Sequence, residues 1–316
     1  MTGHSSPRYK RVTWHAIRTD TVGGNVSSFS VLQHASQNIL SSAFKATSSK
    51  MVLHVLATPK DNETHKLDIV AVHGLNGHWL DTWTNKPGSS NTWLADLLPL
   101  KLPGCRVMSY EYDASVKSMA VGTVRDVARN MFGEFKDKRD GVDIPIVFIA
   151  HSLGGIVIKE ALVLAEQGQA DFPNMTKHTK GIVFFGTPHR GADAANWAML
   201  VIKIARTVLP RSHFRFLKFL KRNSEDLYNV SEDFKHLASR YAIVSFYEEH
   251  AYNRCWGKVI VDKDSAIMAL LHEDFMMLSG THTSMCRFSK DDERFDAVWR
   301  RIRRAADGPQ PSTPIR

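Results

Sequence analysis

Ile144-Pro145-Ile146-Val147-Phe148-Ile149-Ala150-His151-Ser152-Leu153-Gly154-Gly155 is the stretch that decides how the chain is read. Its first part, to Ala150, is an almost unbroken apolar run, as a strand covered on both faces requires. The residues after it, Ile156 to Gln167, have the composition of a buried helix. Between strand and helix there is room only for a sharp turn with Ser152 at its tip. Such a turn strains the backbone at the serine and crowds the neighbouring segments. Small residues two before and two after the serine relieve the crowding, and here these are Ala150 and Gly154. Glycine is usual at both places, and the methyl of Ala150 is a small intrusion. A serine that merely caps a helix is the plainer alternative. The strand before and the helix after favour a nucleophile elbow with Ser152 as the nucleophile.

Working outward, short apolar runs alternate with longer helical patterns. Strands are predicted at Met51 to Ala57, Leu67 to His73, Cys105 to Tyr110, Ile144 to Ala150, Gly181 to Phe185 and Tyr241 to Tyr247. Helices are predicted at Asn91 to Leu98, Val121 to Lys136, Ile156 to Gln167, Trp197 to Leu220 with a break at Pro210, and Ser231 to Ser239. This alternation implies an α/β fold with a mostly parallel central sheet flanked by helices. Right-handed crossovers put helices on both faces. Ligands in such sheets bind at the carboxyl ends of the strands, so the chemistry belongs just after His73, Ala150, Phe185 and Tyr247.

A serine nucleophile needs a base, an acid and donors for a developing oxyanion. The residue after the nucleophile, Leu153, offers one backbone N–H. The other belongs in the loop after an earlier strand, where His73-Gly74-Leu75-Asn76-Gly77 offers the N–H of Leu75. A simple glycine turn is the competing reading of that loop. In this order of elements the acid follows the serine and the base follows the acid. The downstream histidines are His178, His189, His213, His236, His250, His272 and His282. His282 lies in a polar, turn-like segment, Ser279 to Thr283. His250 follows too closely on the acid, and His272 sits in a helical pattern. For the acid, the strand Ile243 to Tyr247 delivers Glu248 first, and strand alternation turns Glu249 elsewhere. Asp262 and Asp264 are the competing acids.

Two segments invite other readings. Gly186-Thr187-Pro188-His189-Arg190-Gly191 follows a strand but lacks the lysine and serine of a phosphate-binding loop. It reads as the rim of a pocket, with His189 structural. The stretch from Ala194 to Arg222 mixes Trp197, Met199, Leu200, Phe214, Phe216 and Phe219 with Arg206, Arg211, Arg215, Lys218 and Lys221. It reads as a helical cap over the pocket, about residues 194–230, or as a basic amphipathic surface for an anionic membrane.

Composition bounds the rest. With 316 residues, 43% hydrophobic and 23% charged, the chain can bury one large core. The formal charge of +9 suits an anionic partner, yet no nucleic-acid signature accompanies it. The three cysteines, Cys105, Cys255 and Cys286, are scattered, which argues against a disulfide framework or a zinc site. No metal or cofactor is expected. No apolar run is long enough to span a bilayer, and the N-terminus lacks the apolar core of a secretory signal. An intracellular location, cytoplasmic or mitochondrial, is expected rather than secretion. Residues 1–50 carry Arg8, Lys10, Arg11 and Arg18 against Asp20. They read as a flexible arm, with a mitochondrial presequence as the alternative. The expected domain is 51–304, and 305–316 reads as a disordered tail.

The segments DIVAVHGLNGHWLDTW, NTWLADLLP, RVMSYEYDA, IVFIAHSLGGIVIKEAL, IVFFGTPHRGAD, IVSFYEE and HTSMCRF follow one another between Met51 and Phe288. In that order the chain resembles the lipase-like serine esterases of the α/β-hydrolase fold, the group that includes the serine-active-site-containing proteins and, more distantly, the GPI inositol-deacylases, with fungal members. The resemblance implies a Ser–acid–His triad that falls on Ser152, Glu248 and His282. In the family pattern the histidine precedes a Met-Cys-Arg-Phe-like run, matched by Met285 to Phe288. Thr281 stands where the family commonly has aspartate. The resemblance implies cleavage of an acyl ester, lipid-like in kind. An acyltransferase or thioesterase with the same triad, or a non-catalytic scaffold that keeps the fold, are the alternatives.

Overall fold

The computed structural model describes residues 51–86, 88, 91–115, 124–139, 143–168, 173–190, 194–208, 224–251 and 259–310. The expected arm 1–50, residues 209–223 of the expected cap and residues 311–316 of the expected tail lie outside these.

The strands are β1 (Val52–Ala57), β2 (Leu67–Val72), β3 (Cys105–Glu111), β4 (Ile146–His151), β5 (Thr179–Phe185), β6 (Ala242–Glu248) and β7 (Asp274–Leu278). They form one seven-stranded sheet in the order β1-β3-β2-β4-β5-β6-β7. β1 runs antiparallel to β3, and every other pairing is parallel. The main helices are α1 (Val124–Arg139), α2 (Gly154–Glu166), α3 (Ala194–Val208), α4 (Ser224–Lys235) and α5 (Arg294–Ala306).

The central strands are apolar at consecutive positions because both faces are covered. Val70, Phe148, Ile182 and Ile243 point to one side, where α1, α2 and α4 supply Phe132, Leu162 and Phe234. Ile69, Val147, Val183 and Phe246 point to the other, against Trp93, Leu98, Val298 and Ile302. The result is the expected α/β-hydrolase architecture. A third apolar cluster sits at the carboxyl ends of the strands, where Trp197, Val201 and Ile204 of α3 meet Leu227 and Val230 of α4.

Several expected elements shift. The helix anticipated at Ser231 to Ser239 begins at Ser224, where Glu225 and Asp226 place acid in the first turn, and ends at Lys235. Carboxylates there complement the positive end of the helix. His272 is not helical: it lies in the turn before β7. Helix α5 was hidden by its arginines, although Phe295, Val298, Trp299, Ile302 and Ala305 form its buried stripe. It carries the packed chain past the expected boundary at 304. Ala305 lies so close to Gly181 that a Cβ on that glycine would stand 2.6 Å from the Ala305 Cβ. Residues 305 and 306 therefore belong to the folded unit and not to a tail.

Candidate active site

β4 ends at His151 and α2 begins at Gly154, leaving Ser152 and Leu153 to make the turn. Ser152 sits at φ +53°, a region costly for any residue with a Cβ. Its backbone is held from three directions. The Ser152 N–H donates to the Phe185 carbonyl at 2.9 Å, and its carbonyl accepts from the Gly155 N–H at 3.1 Å. The same carbonyl accepts from the Thr187 hydroxyl at 3.0 Å. The glycines permit this crowding. A Cβ on Gly154 would stand 2.4 Å from the carbonyl oxygens of Val72 and His73. A Cβ on Gly155 would meet the Thr187 side chain at 2.4 Å.

The structure brings Ser152, His282 and Glu248 together. His282 Nε2 lies 2.9 Å from Ser152 Oγ. On the far side of the ring, Glu248 Oε1 lies 3.3 Å from Nδ1, close enough for an ion pair but not aligned as a hydrogen bond. All three side chains are buried. Oε1 also accepts the Val261 N–H at 2.7 Å, while Oε2 has no hydrogen-bond partner among the described residues. Glu248 is the last residue of β6, rather than the first beyond it. Gly186, at φ +55°, lies against the imidazole: a Cβ there would come within 3.1 Å of His282 Nδ1.

The remaining candidates lie elsewhere. Glu249 is exposed, 3.5 Å from His250. Asp262 is exposed and caps the Ser265 N–H at 2.9 Å, and Asp264 is exposed. His178 pairs with Asp143. His236 is exposed. His189 is buried edge-on to Phe184 at 4.5 Å, with burial holding its imidazole well below the ordinary value. His213 lies outside the described residues.

Leu75 and Leu153 flank the serine. The turn around Leu75 is closed by the Asn76 N–H on the Ala114 carbonyl at 2.8 Å and the Gly77 N–H on the Gly74 carbonyl at 3.0 Å. Asn76 adopts φ +52°. The N–H groups of Leu75 and Leu153 have no partner among the described residues. Their side chains are buried in the apolar cluster that holds Trp197 and Ile204. Two more histidines border the site. Burial pushes His73 down to about 4 and His151 down to about 3, so both are neutral near pH 7. Among the described residues no three His, Cys, Asp or Glu side chains gather as a metal ion would need. A cavity of about 550 Å³ opens beside α3, lined by Arg190, Met199, Lys203, Lys235, Asp262 and Asp264 among others. It contains none of the residues around Ser152.

Sequence reasoning passed over three participants: Thr187 and His151 in side-chain roles, and Val261 through its backbone. Thr187 carried a signal, since a threonine after a strand that ends beside the elbow can reach a backbone carbonyl. The Val261 contact had none, because its approach to Glu248 is purely tertiary.

The family model described as "Putative serine esterase (DUF676)" matches residues 61–209. Among curated proteins, the chain is 25% identical to "Protein SERAC1" of Danio rerio over 264 residues, covering 74% of this chain and 38% of that protein. It is 27% identical to "Protein SERAC1" of Bos taurus over 250 residues, covering 72% and 37%. The chain thus spans under two fifths of the length of these relatives. Among solved structures, the Bacillus licheniformis lipase BlEst2 is 16% identical, with 79% of this chain and 97% of that chain covered at a TM-score of 0.49. No helix among the described residues is long and apolar enough to cross a membrane. In its nucleophile-elbow geometry and in the match across residues 61–209, the chain is similar to the lipase-like serine esterases of the α/β-hydrolase fold.

Proposed function

We propose that the protein hydrolyses an acyl ester through Ser152, His282 and Glu248. The observation that carries this reading is the 2.9 Å approach of His282 Nε2 to Ser152 Oγ, with the buried Glu248 carboxylate behind the ring. His282 takes the Ser152 proton as Oγ attacks the ester carbonyl carbon. The carbonyl oxygen becomes an oxyanion, met by the N–H groups of Leu75 and Leu153. Collapse breaks the ester bond, and the leaving alcohol takes its proton from His282. Water then gives a proton to His282 as it attacks the acyl-enzyme, and the carboxylic acid departs as Ser152 recovers its proton. Glu248 keeps the imidazole in the working tautomer and stabilises the imidazolium.

A lipid-like acyl chain is the substrate part of the proposal. It is supported by the apolar roof, where Leu75, Leu153, Ile156, Trp197 and Ile204 share one cluster. Contact with an anionic membrane rests on Arg211, Arg215 and Lys218, which lie outside the described residues, and an intracellular site of action on the scattered cysteines. Labelling by a fluorophosphonate, followed by peptide mapping, tests the nucleophile. Turnover of p-nitrophenyl esters from acetyl to palmitoyl tests the acyl preference. Labelling at Ser152 with activity rising toward longer chains is expected. Absence of labelling would remove the serine-hydrolase reading, and a preference for thioesters over oxygen esters would move it to a thioesterase.

A further inference from the structure

His151 is the last residue of β4 and the immediate neighbour of Ser152. Its side chain is buried, and its Nε2 lies 2.8 Å from the backbone carbonyl of His282. A carbonyl only accepts, so the hydrogen sits on Nε2. The other edge of the ring faces the turn before Leu75, since a Cβ on Gly74 would stand 3.4 Å from His151 Nδ1. The imidazole is thus wedged between the Gly74 turn and the backbone of His282. The two histidine rings lie 5.1 Å apart and tilted by 46°.

The loop bearing His282 has other ties, but they grip its ends. Arg294 donates to the carbonyls of Ser279 and Arg287, and it is itself held by Asp292. Between those anchors, the ring of His282 meets Ser152 and Glu248 and packs against Gly186, and its backbone carbonyl accepts from His151. The geometry points to His151 as a positioning residue that fixes His282 in register with the nucleophile. This rests on the triad reading above. A single strand end then places both reacting partners: Ser152 by covalent continuity and His282 by this hydrogen bond.

The choice of a histidine has a chemical reason. During turnover His282 becomes an imidazolium. A lysine or arginine in the place of His151 would also donate to the carbonyl, but its charge would oppose that step. The groups facing His151 are His282, Arg287 and His73, all cationic or able to become so, and burial keeps the His151 ring neutral. It therefore supplies an N–H without a charge. Geometry at this level matters because a displacement of about 1 Å at reacting atoms costs on the order of 10²-fold in rate.

The test compares His151→Met, which keeps bulk and loses the donor, with His151→Gln, whose amide can place an N–H near the position of Nε2. Short-ester kinetics and the rate of fluorophosphonate labelling are measured on the full chain, with melting curves alongside. His151→Met is expected to lower kcat on the order of 10- to 100-fold with KM within about twofold. His151→Gln is expected to recover most of that loss. Unchanged kcat in His151→Met, or His151→Gln as slow as His151→Met while folded like the parent, overturns the proposal. Failure of the triad reading looks different, because the parent itself would then escape labelling at Ser152. Should His151→Met not fold, nitrogen NMR of the parent decides: the Nε2–H tautomer is expected between pH 5 and 8, and the Nδ1–H tautomer overturns it.

Discussion

The Thr187 hydroxyl donates to the carbonyl of Ser152 across 3.0 Å, so the residue with φ +53° is braced by a side chain from the next strand's loop. Thr187→Val removes the donor with little change in shape. It is expected to cost about 1 kcal/mol of stability and to lower kcat, whereas Thr187→Ser keeps both near the parent. Urea unfolding and ester kinetics on the same samples check this.

The strained backbone makes Ser152 a trade between stability and chemistry. Ser152→Ala is expected to abolish turnover, on the order of 10⁴-fold or more, with the fold intact. Ser152→Gly is expected to be equally inactive yet more stable than Ser152→Ala by about 1 kcal/mol, because glycine carries no penalty at positive φ. Equal urea midpoints for the two variants would count against strain at the elbow.

The two glutamates at the end of β6 should behave very differently. Glu248 faces His282, and Glu249 faces solvent and His250. Glu248→Gln is expected to lower kcat on the order of 10²- to 10⁴-fold, by analogy with amide replacement of a triad acid. Glu249→Gln is expected to stay within about twofold of the parent on the same scale. The reverse pattern would assign the acid to Glu249.

Gly154 and Gly155 are both crowded, but by different atoms. The obstacle at Gly154 is backbone carbonyl at 2.4 Å, and at Gly155 it is the Thr187 side chain at the same distance. A side chain yields more readily than a strand. Gly154→Ala is therefore expected to destabilise more than Gly155→Ala, with the latter costing about 1–3 kcal/mol. Melting temperatures of the pair decide it.

Lys159 gives the fold a pH dependence. It is fully buried on α2, donates to Ser231 Oγ at 3.1 Å and lies 5.9 Å from the rings of Phe184 and Phe234. Burial pushes its amine from 10.5 down to about 7, with Glu273 and Glu232 opposing the shift and Lys235 adding to it. Between those two values the unfolded amine holds a proton that the folded amine does not. Its contribution to stability therefore rises with pH across that window, and below about pH 7 the full penalty remains. Lys159→Met is expected to flatten the rise in melting temperature between pH 7 and 9.5. Parallel curves for parent and variant would show that the amine is not desolvated as the structure has it.

The sheet and the elbow were legible because buried parallel strands write themselves as apolar runs, and the turn at Ser152 demands small neighbours on both sides. β7 was missed since Asp274-Phe275-Met276-Met277-Leu278 is an edge strand, with one covered face and a weak pattern. Helix α5 shows the opposite fault: its stripe was present but masked by the arginines between. At the site, the sequence offered Glu248 as the first residue after a strand and His282 within a turn, whereas Glu248 is the last residue of β6. The Val261 N–H on Glu248 and the His151 contact with His282 span 13 and 131 residues, and no local pattern encodes such meetings.

The apolar roof has a mechanical consequence. Leu75 and Leu153 share it with Ile260 and Val261, and the Val261 N–H anchors Glu248 at 2.7 Å. In the proposed mechanism, the N–H groups offered to the oxyanion and the carboxylate offered to the imidazolium thus hang from one ceiling. Lifting that ceiling slackens both at once. A substitution that loosened this cluster is then expected to slow the proposed reaction without touching Ser152, His282 or Glu248.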